Sequence, residues 1–249
     1  MTVVRVELLP GTLPPDPQGV CAVVDVIRAT TTLVAMAEAG DPEVWIAGDI
    51  DAARQAASQL GPDTLLCGER GGLPPEGFDH GNSPREFQDT DLTGRRAVLS
   101  TTNGAYAIER WGHSRRTCIA ALRNAGAVAE RLLEDPAATS ISIACAGRSG
   151  ALALDDLYTA GVIVQRLLQN SRELKLDESA VAALHVAAAY PSAQAALPAT
   201  RSAQALKPVG LWDDVTACAQ VDVSQAVPEV GNQGCIRIWR EAERAGRAS

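Results

Sequence analysis

Short apolar runs separated by stretches of helical periodicity recur through the first two-thirds of the chain, and no other feature restricts the fold as strongly. The run at 20–27 is almost continuously apolar, the pattern of a strand buried on both faces of a parallel sheet. Residues 3–8 alternate apolar and polar side chains, which predicts an edge strand. Further strands are predicted over 43–47, 64–67, 96–100, 116–120 and 140–145. Between them, helical patterns fall at 31–39, closed by Gly40, at 51–60, capped by Asp49 and ended by Gly61 and Pro62, and at 105–111, 125–133 and 154–169. Strands that alternate with helices make βαβ units. The predicted fold class is therefore α/β, with a mainly parallel sheet covered by helices on both faces.

Two segments depart from this rhythm. Residues 68–93 are rich in Gly, Pro, Asp and Asn, lack periodicity and are too long for a mere connection, which predicts a functional loop. Residues 177–219 are alanine-rich and helical, with breaks at Pro191, Pro198 and Pro208. This C-terminal part reads as a helical subdomain at about 177–220, or as a cover over the sheet, within a single α/β domain spanning 1–249. A last strand is predicted at 235–239, and the tail after Glu241 is expected to fray.

Charge narrows the class of partner. With 22 basic and 30 acidic residues the net charge is −8, unfavourable for a sequence-independent nucleic-acid binder or for an anionic membrane surface. No spanning apolar run and no basic-then-apolar leader is visible, so the cytoplasm is the expected location. A homodimer is the default expectation for the assembly. Lysine occurs only at Lys175 and Lys207; nearly all positive charge is arginine, suited to bidentate recognition of oxyanions, although genomic base composition explains such a bias equally well. Six scattered cysteines without metal-ligand spacing read mostly as reduced core thiols.

Polar clusters fall at four predicted strand ends, where ligands of parallel sheets bind. They are Asp25-Val-Ile-Arg28-Ala-Thr30-Thr31-Thr32; Gly68-Glu69-Arg70-Gly71-Gly72 with Asp79-His80-Gly81-Asn82-Ser83-Pro84; Ser100-Thr101-Thr102-Asn103-Gly104; and Cys145-Ala-Gly147-Arg148-Ser149-Gly150 with Asp155-Asp156. Taken singly, the hydroxyls read as helix caps, the acids as first-turn charges, the Gly and Asn-Ser-Pro stretches as turns and the arginines as surface ion pairs. Taken together at one end of one sheet, they read as a pocket for a multiply anionic small molecule. Surplus carboxylates would repel such a ligand unless a hard cation such as Mg²⁺ lay between them, which points to metal-assisted phosphoryl chemistry. Standard signatures are missing: there is no phosphate-binding P-loop, no paired-aspartate phosphatase motif at Asp25, and no five-residue spacing from Cys145 to an arginine.

At these residues the chain resembles the 2-phosphosulfolactate phosphatase family of coenzyme M biosynthesis. The likeness rests on D-V-I-R-A-T-T-T at Asp25, G-E-R-G-G at Gly68, F-D-H-G-N-S-P at Phe78, S-T-T-N-G at Ser100 and C-A-G-R-x-G with A-L-D-D at Cys145, and extends weakly to D-D-V-x-x-C-x-x-x-D from Asp213 to Asp222. It implies a Mg²⁺-dependent hydrolase that turns 2-phospho-3-sulfolactate into 3-sulfolactate and phosphate, on a fold outside the common phosphatase superfamilies. The alternatives are a phosphatase for another phosphorylated 2-hydroxy acid and a non-catalytic binder of small anionic metabolites. The residues expected to act in catalysis are Asp25, Arg28, Glu69, Arg70, Asp79, Asn82 and Arg148. Substrate binding is expected from Thr30, Thr31, Thr101, Thr102, Asn103, Gly104, Cys145, Gly147 and Arg148, and the metal from Asp25, Glu69 and Asp156. The expected partner is a small phosphorylated and sulfonated hydroxy acid.

Overall fold

In the computed structural model, which describes residues 1–171, 173–231 and 235–238, strands form at β1 (Thr2–Glu7), β2 (Val20–Val24), β3 (Glu43–Ala47), β4 (Thr64–Gly68), β5 (Arg96–Ser100), β6 (Arg116–Ala120), β7 (Ser140–Cys145), β8 (Leu174–Leu176), β9 (Pro228–Val230) and β10 (Ile236–Ile238). Helices lie at α1 (Ala29–Glu38), α2 (Ile50–Leu60), α3 (Thr102–Trp111), α4 (Ala125–Leu133), α5 (Leu154–Asn170), α6 (Glu178–Ala188), α7 (Ala193–Ala196), α8 (Arg201–Leu206) and α9 (Trp212–Cys218). The result is α/β: one mostly parallel sheet, in the order β4-β5-β3-β10-β9-β6-β2-β7-β1-β8, flanked by helices. Of the predicted last strand and frayed tail, Trp239 and everything after it lie outside the described residues.

The reason both faces are covered is visible in β2, which is buried at every position. Val20, Ala22 and Val24 enter one apolar cluster, whereas Cys21 and Val23 enter another, because successive side chains of a strand point to opposite faces. The first cluster is shared with α4, α5 and α6, and the second with Leu33 and Met36 of α1 and Ile108 and Trp111 of α3. Ala180, Ala183, Leu197, Ala203, Leu206 and Val215 belong to the first cluster, so the helices after residue 177 lie over that face. Asp49 caps α2 by accepting from Ala52 N at 2.7 Å. Among the described residues no single helix is long and apolar enough to cross a membrane.

Two corrections concern the sheet. β1 is not at its edge: β8 pairs with it in parallel, Thr2 opposite Leu174 and Val4 opposite Leu176. A three-residue Leu-Lys-Leu strand is too short to show a period of two. The sheet is mainly parallel, as expected, but the four clusters do not lie at one end of a parallel array. β10 runs antiparallel to β3 and β9, and β9 antiparallel to β6, so three reversals in succession leave the β4-β5-β3 group opposed in sense to the β6-β2-β7-β1-β8 group. The polar clusters therefore do not share one end of one parallel sheet. They meet because α3, which follows β5, packs against β3 and also crosses to β2 and β7, bringing the carboxyl end of one group onto that of the other.

Candidate active site

Where α3 crosses between the two groups there is a cleft of about 300 Å³, walled by Asp25, Arg28, Glu69, Asn82, Thr101 and Arg148 among others. A larger hollow of about 800 Å³ lies at the opposite, amino ends of β3, β4 and β5, and holds none of the four clusters.

β2 ends at Val24 and the chain turns into α1 through Asp25, with a cis peptide between Ile27 and Arg28. The threonines hold this turn. Thr30 Oγ1 accepts from Asp25 N at 3.1 Å, Thr31 Oγ1 donates to Val26 O at 2.7 Å, and Thr32 Oγ1 donates to Asn82 O at 3.1 Å. All three are fully buried, so Thr30 and Thr31 do not face the cleft as expected of substrate-binding groups. The Asp25 carboxylate accepts from the N–H groups of Gly104 and Ala29. A side chain at Gly104 would place its Cβ 2.9 Å from Asp25 Oδ2, so this close approach of α3 requires glycine. Burial first, then the charges of Asp155 and Glu69, push the Asp25 carboxyl from 3.8 up to about 7.

The segment after β4 divides between site and scaffold. Glu69 lines the cleft and its Oε2 accepts from Gly72 N at 2.8 Å. Arg70 and Leu73 close a two-residue turn through paired backbone bonds, with Gly71 and Gly72 at φ 62° and 90°. The Arg70 guanidinium is exposed and donates to Thr102 Oγ1 at 2.7 Å on the cleft rim. Asn82 is buried against the cleft and its Oδ1 has no hydrogen-bond partner among the described residues. Asp79, expected to be catalytic, lies outside: its Oδ2 accepts from Leu66 N at 2.8 Å and fastens the segment to β4.

The fourth cluster divides in the same way. Cys145 is buried at the end of β7, away from the cleft, and burial drives its thiol well above the usual range, the opposite of what a nucleophilic cysteine needs. Gly147 N donates to Asp156 Oδ2 and Val26 N to Asp156 Oδ1, each at 2.9 Å. Asp156 is thus a buckle between the ends of β2 and β7, and neither it nor Gly147 faces the cleft. Arg148 and Ala151 pair across a second tight turn, whose Ser149 N donates to Asn103 Oδ1 at 3.2 Å. The start of α3 therefore holds both turns, through Thr102 and Asn103. Among the described residues the Arg148 guanidinium makes no ion pair or hydrogen bond.

Helix α8 completes the walls and α9 braces Arg28 from behind them, and sequence reasoning missed both. Ser202, Ala205 and Leu206 of α8 line the cleft, and Ser202 Oγ donates to Asp155 Oδ1 at 3.1 Å. Asp214 of α9 pairs with Arg28 at 2.7 Å. The only sequence signal for these was the weak Asp213-Asp214-Val match; α8 carries none.

A cation would find two cleft carboxylates, Asp25 and Glu69, since Asp156 does not line the cleft. No group of three or more His, Cys, Asp or Glu side chains among the described residues is arranged to hold a metal by itself. Such a pair suits Mg²⁺, which takes one or two carboxylates and keeps several waters, and does not suit an ion that needs a closed protein cage.

The family model described as 2-phosphosulpholactate phosphatase matches residues 5–233. The chain belongs to that family. Its relatives include a Thermus thermophilus protein named probable 2-phosphosulfolactate phosphatase, 42% identical over 240 residues that cover 96% of this chain and 99% of the relative. A Deinococcus radiodurans protein of the same name is 41% identical over 225 residues, covering 90% of this chain and 91% of its own. Family members thus match this chain from β1 through β9, a span that includes all the cleft walls.

Proposed function

We propose that the cleft hydrolyses 2-phospho-3-sulfolactate to 3-sulfolactate and inorganic phosphate with Mg²⁺ as cofactor, in the cytoplasm and within one 1–249 domain. Membership of the family makes the chain a phosphatase, a phosphoric monoester hydrolase. The observation that carries the reading is the segregation of charge in the cleft: two carboxylates, Asp25 and Glu69, beside the uncommitted guanidinium of Arg148 and the partly committed one of Arg28.

Each group has a task set by its surroundings. Arg28 spends two of its five N–H donors on Asp214 and Gly72 and keeps the rest for an oxyanion. Arg148 and Arg70 stand on opposite tight turns at the rim, placed to grip the other acidic groups of a substrate that carries phosphate, carboxylate and sulfonate. Thr101 and Thr102 open α3, whose N-terminal dipole favours the same anionic charge. Asp25 and Glu69 would hold Mg²⁺, which when bound offsets the phosphate charge and acidifies a water. Asn82 offers an unpaired oxygen to orient an attacking water. A volume of about 300 Å³ suits a small metabolite.

Phosphate release from 2-phospho-3-sulfolactate, phospholactate and phosphoglycolate, with Mg²⁺ and then with chelator, tests the reading. The sulfonated substrate is expected to have the highest kcat/KM and chelation to remove the activity. Equal rates on all three overturn the substrate, and equal rates with chelator overturn the cofactor.

A further inference from the structure

Asp214 has no part in the chemistry described so far. It sits fully buried in the first turn of α9, outside the cleft. Its Oδ2 accepts from Arg28 Nη1 at 2.7 Å and its Oδ1 from Ser83 Oγ at 2.6 Å. Arg28 Nη2 in turn donates to Gly72 O at 2.7 Å. One carboxylate thus joins three stretches of chain: α9, the arginine after β2, and the segment after β4, held at both Ser83 and Gly72. The neighbouring Arg85–Asp213 pair, at 3.2 Å, is exposed and contributes little.

Arg28 is only 4% exposed, and a guanidinium so buried requires a counter-charge. Without Asp214, the carboxylates left to it in the cleft are Asp25 and Glu69. An arginine paired with either would quench the acidic half of the site and release Gly72, whose N–H also fixes Glu69. We propose that Asp214 is a positioning residue: it holds Arg28 in the cleft and clear of Asp25 and Glu69, and so preserves the separation of charge that the reaction needs. The proposal rests on the phosphatase reading of the cleft.

A double-mutant cycle on the full chain tests it, with Asp214→Asn, Arg28→Gln and the double variant, which leaves a neutral pair able to hydrogen-bond. Two quantities are read: kcat/KM on 2-phospho-3-sulfolactate, and calorimetric Kd for inorganic phosphate in Mg²⁺. Asp214→Asn is expected to lower kcat/KM about a hundredfold. The double variant is expected to be no worse than Arg28→Gln alone, and phosphate Kd to follow the same non-additive pattern. A wild-type kcat/KM for Asp214→Asn, or losses that multiply in the double variant, overturns the proposal. If Asp214→Asn does not fold alone, the double variant against Arg28→Gln decides in the same sense. A wild type that releases no phosphate refutes the phosphatase reading instead, and the phosphate Kd cycle then decides the role of Asp214.

Discussion

The cleft and the larger hollow at the other end of β3, β4 and β5 contain the same kinds of side chain and treat them differently. In the hollow the charged groups are engaged: Arg96 and Arg237 reach the Glu43 carboxylate at 3.5 and 3.6 Å, and Arg95 donates to the backbone carbonyl of Asp63 at 3.3 Å. In the cleft, like charges are kept together. Asp25 is raised to about 7 by burial and by neighbouring carboxylates, and Arg148 makes no ion pair or side-chain hydrogen bond among the described residues. A surface that neutralises its own charges has nothing left to bind an anion. A site that holds them apart keeps a free energy that binding of the proposed cation and phosphorylated acid would release.

Substitution should separate the two regions sharply. Asp25→Asn is expected to lower kcat/KM for phosphate release about a thousandfold, whereas Glu43→Gln in the hollow stays within about twofold; comparable losses would erase the distinction. Arg148→Ala should raise KM roughly 30-fold by removing charge-assisted bonds worth about 2 kcal/mol, with Arg96→Ala at the wild-type KM. An unchanged KM in Arg148→Ala would show that this guanidinium does not touch substrate.

Protons provide two finer tests. With Asp25 at about 7, cation and proton compete for one carboxylate, so Mg²⁺ should bind about tenfold tighter at pH 8 than at pH 6 in calorimetry. A flat affinity would remove Asp25 from the cation site. The smallest effect is on stability. The Asp25 carboxyl is raised in the folded protein from 3.8 to about 7, so below pH about 4 it is protonated in both states, and between about 4 and 7 only the folded state retains the proton. Folding stability from this group is therefore present at low pH and lost as pH rises through that window. Asp25→Asn, which cannot ionise, should gain several degrees of Tm relative to wild type between pH 4.5 and pH 8 without added Mg²⁺, roughly. A difference that stays constant across this range would mean that Asp25 ionises normally.

Much of the fold was legible because β2, β3, β5, β6 and β7 are short apolar runs between stretches of helical periodicity, and their predicted spans agree with the structure to within a few residues. β8 and β9, at three residues each, are too short for periodicity to reveal. The reversed sense of the β4-β5-β3 group depends on β9 and on the antiparallel pairing of β10, whose strand at 235–239 was predicted but whose direction no local pattern gives. Within the clusters, residue type alone could not separate Asp25 from Asp156 or Asp79. All three are acids in polar segments that accept from backbone N–H groups, but only Asp25 lines the cleft, and which acid does so is decided only once the chain has folded. The Arg28–Asp214 pair spans 186 residues, a separation no local pattern encodes.

Calorimetric titration with inorganic phosphate, the expected product, locates the site most directly. In wild type, phosphate should bind at one site and bind tighter with Mg²⁺; in Asp25→Asn the Mg²⁺ enhancement should vanish, and in Arg96→Ala it should be intact. Phosphate affinity that ignores Asp25→Asn and is lost in Arg96→Ala would place the anion in the hollow and contradict the assignment of the cleft.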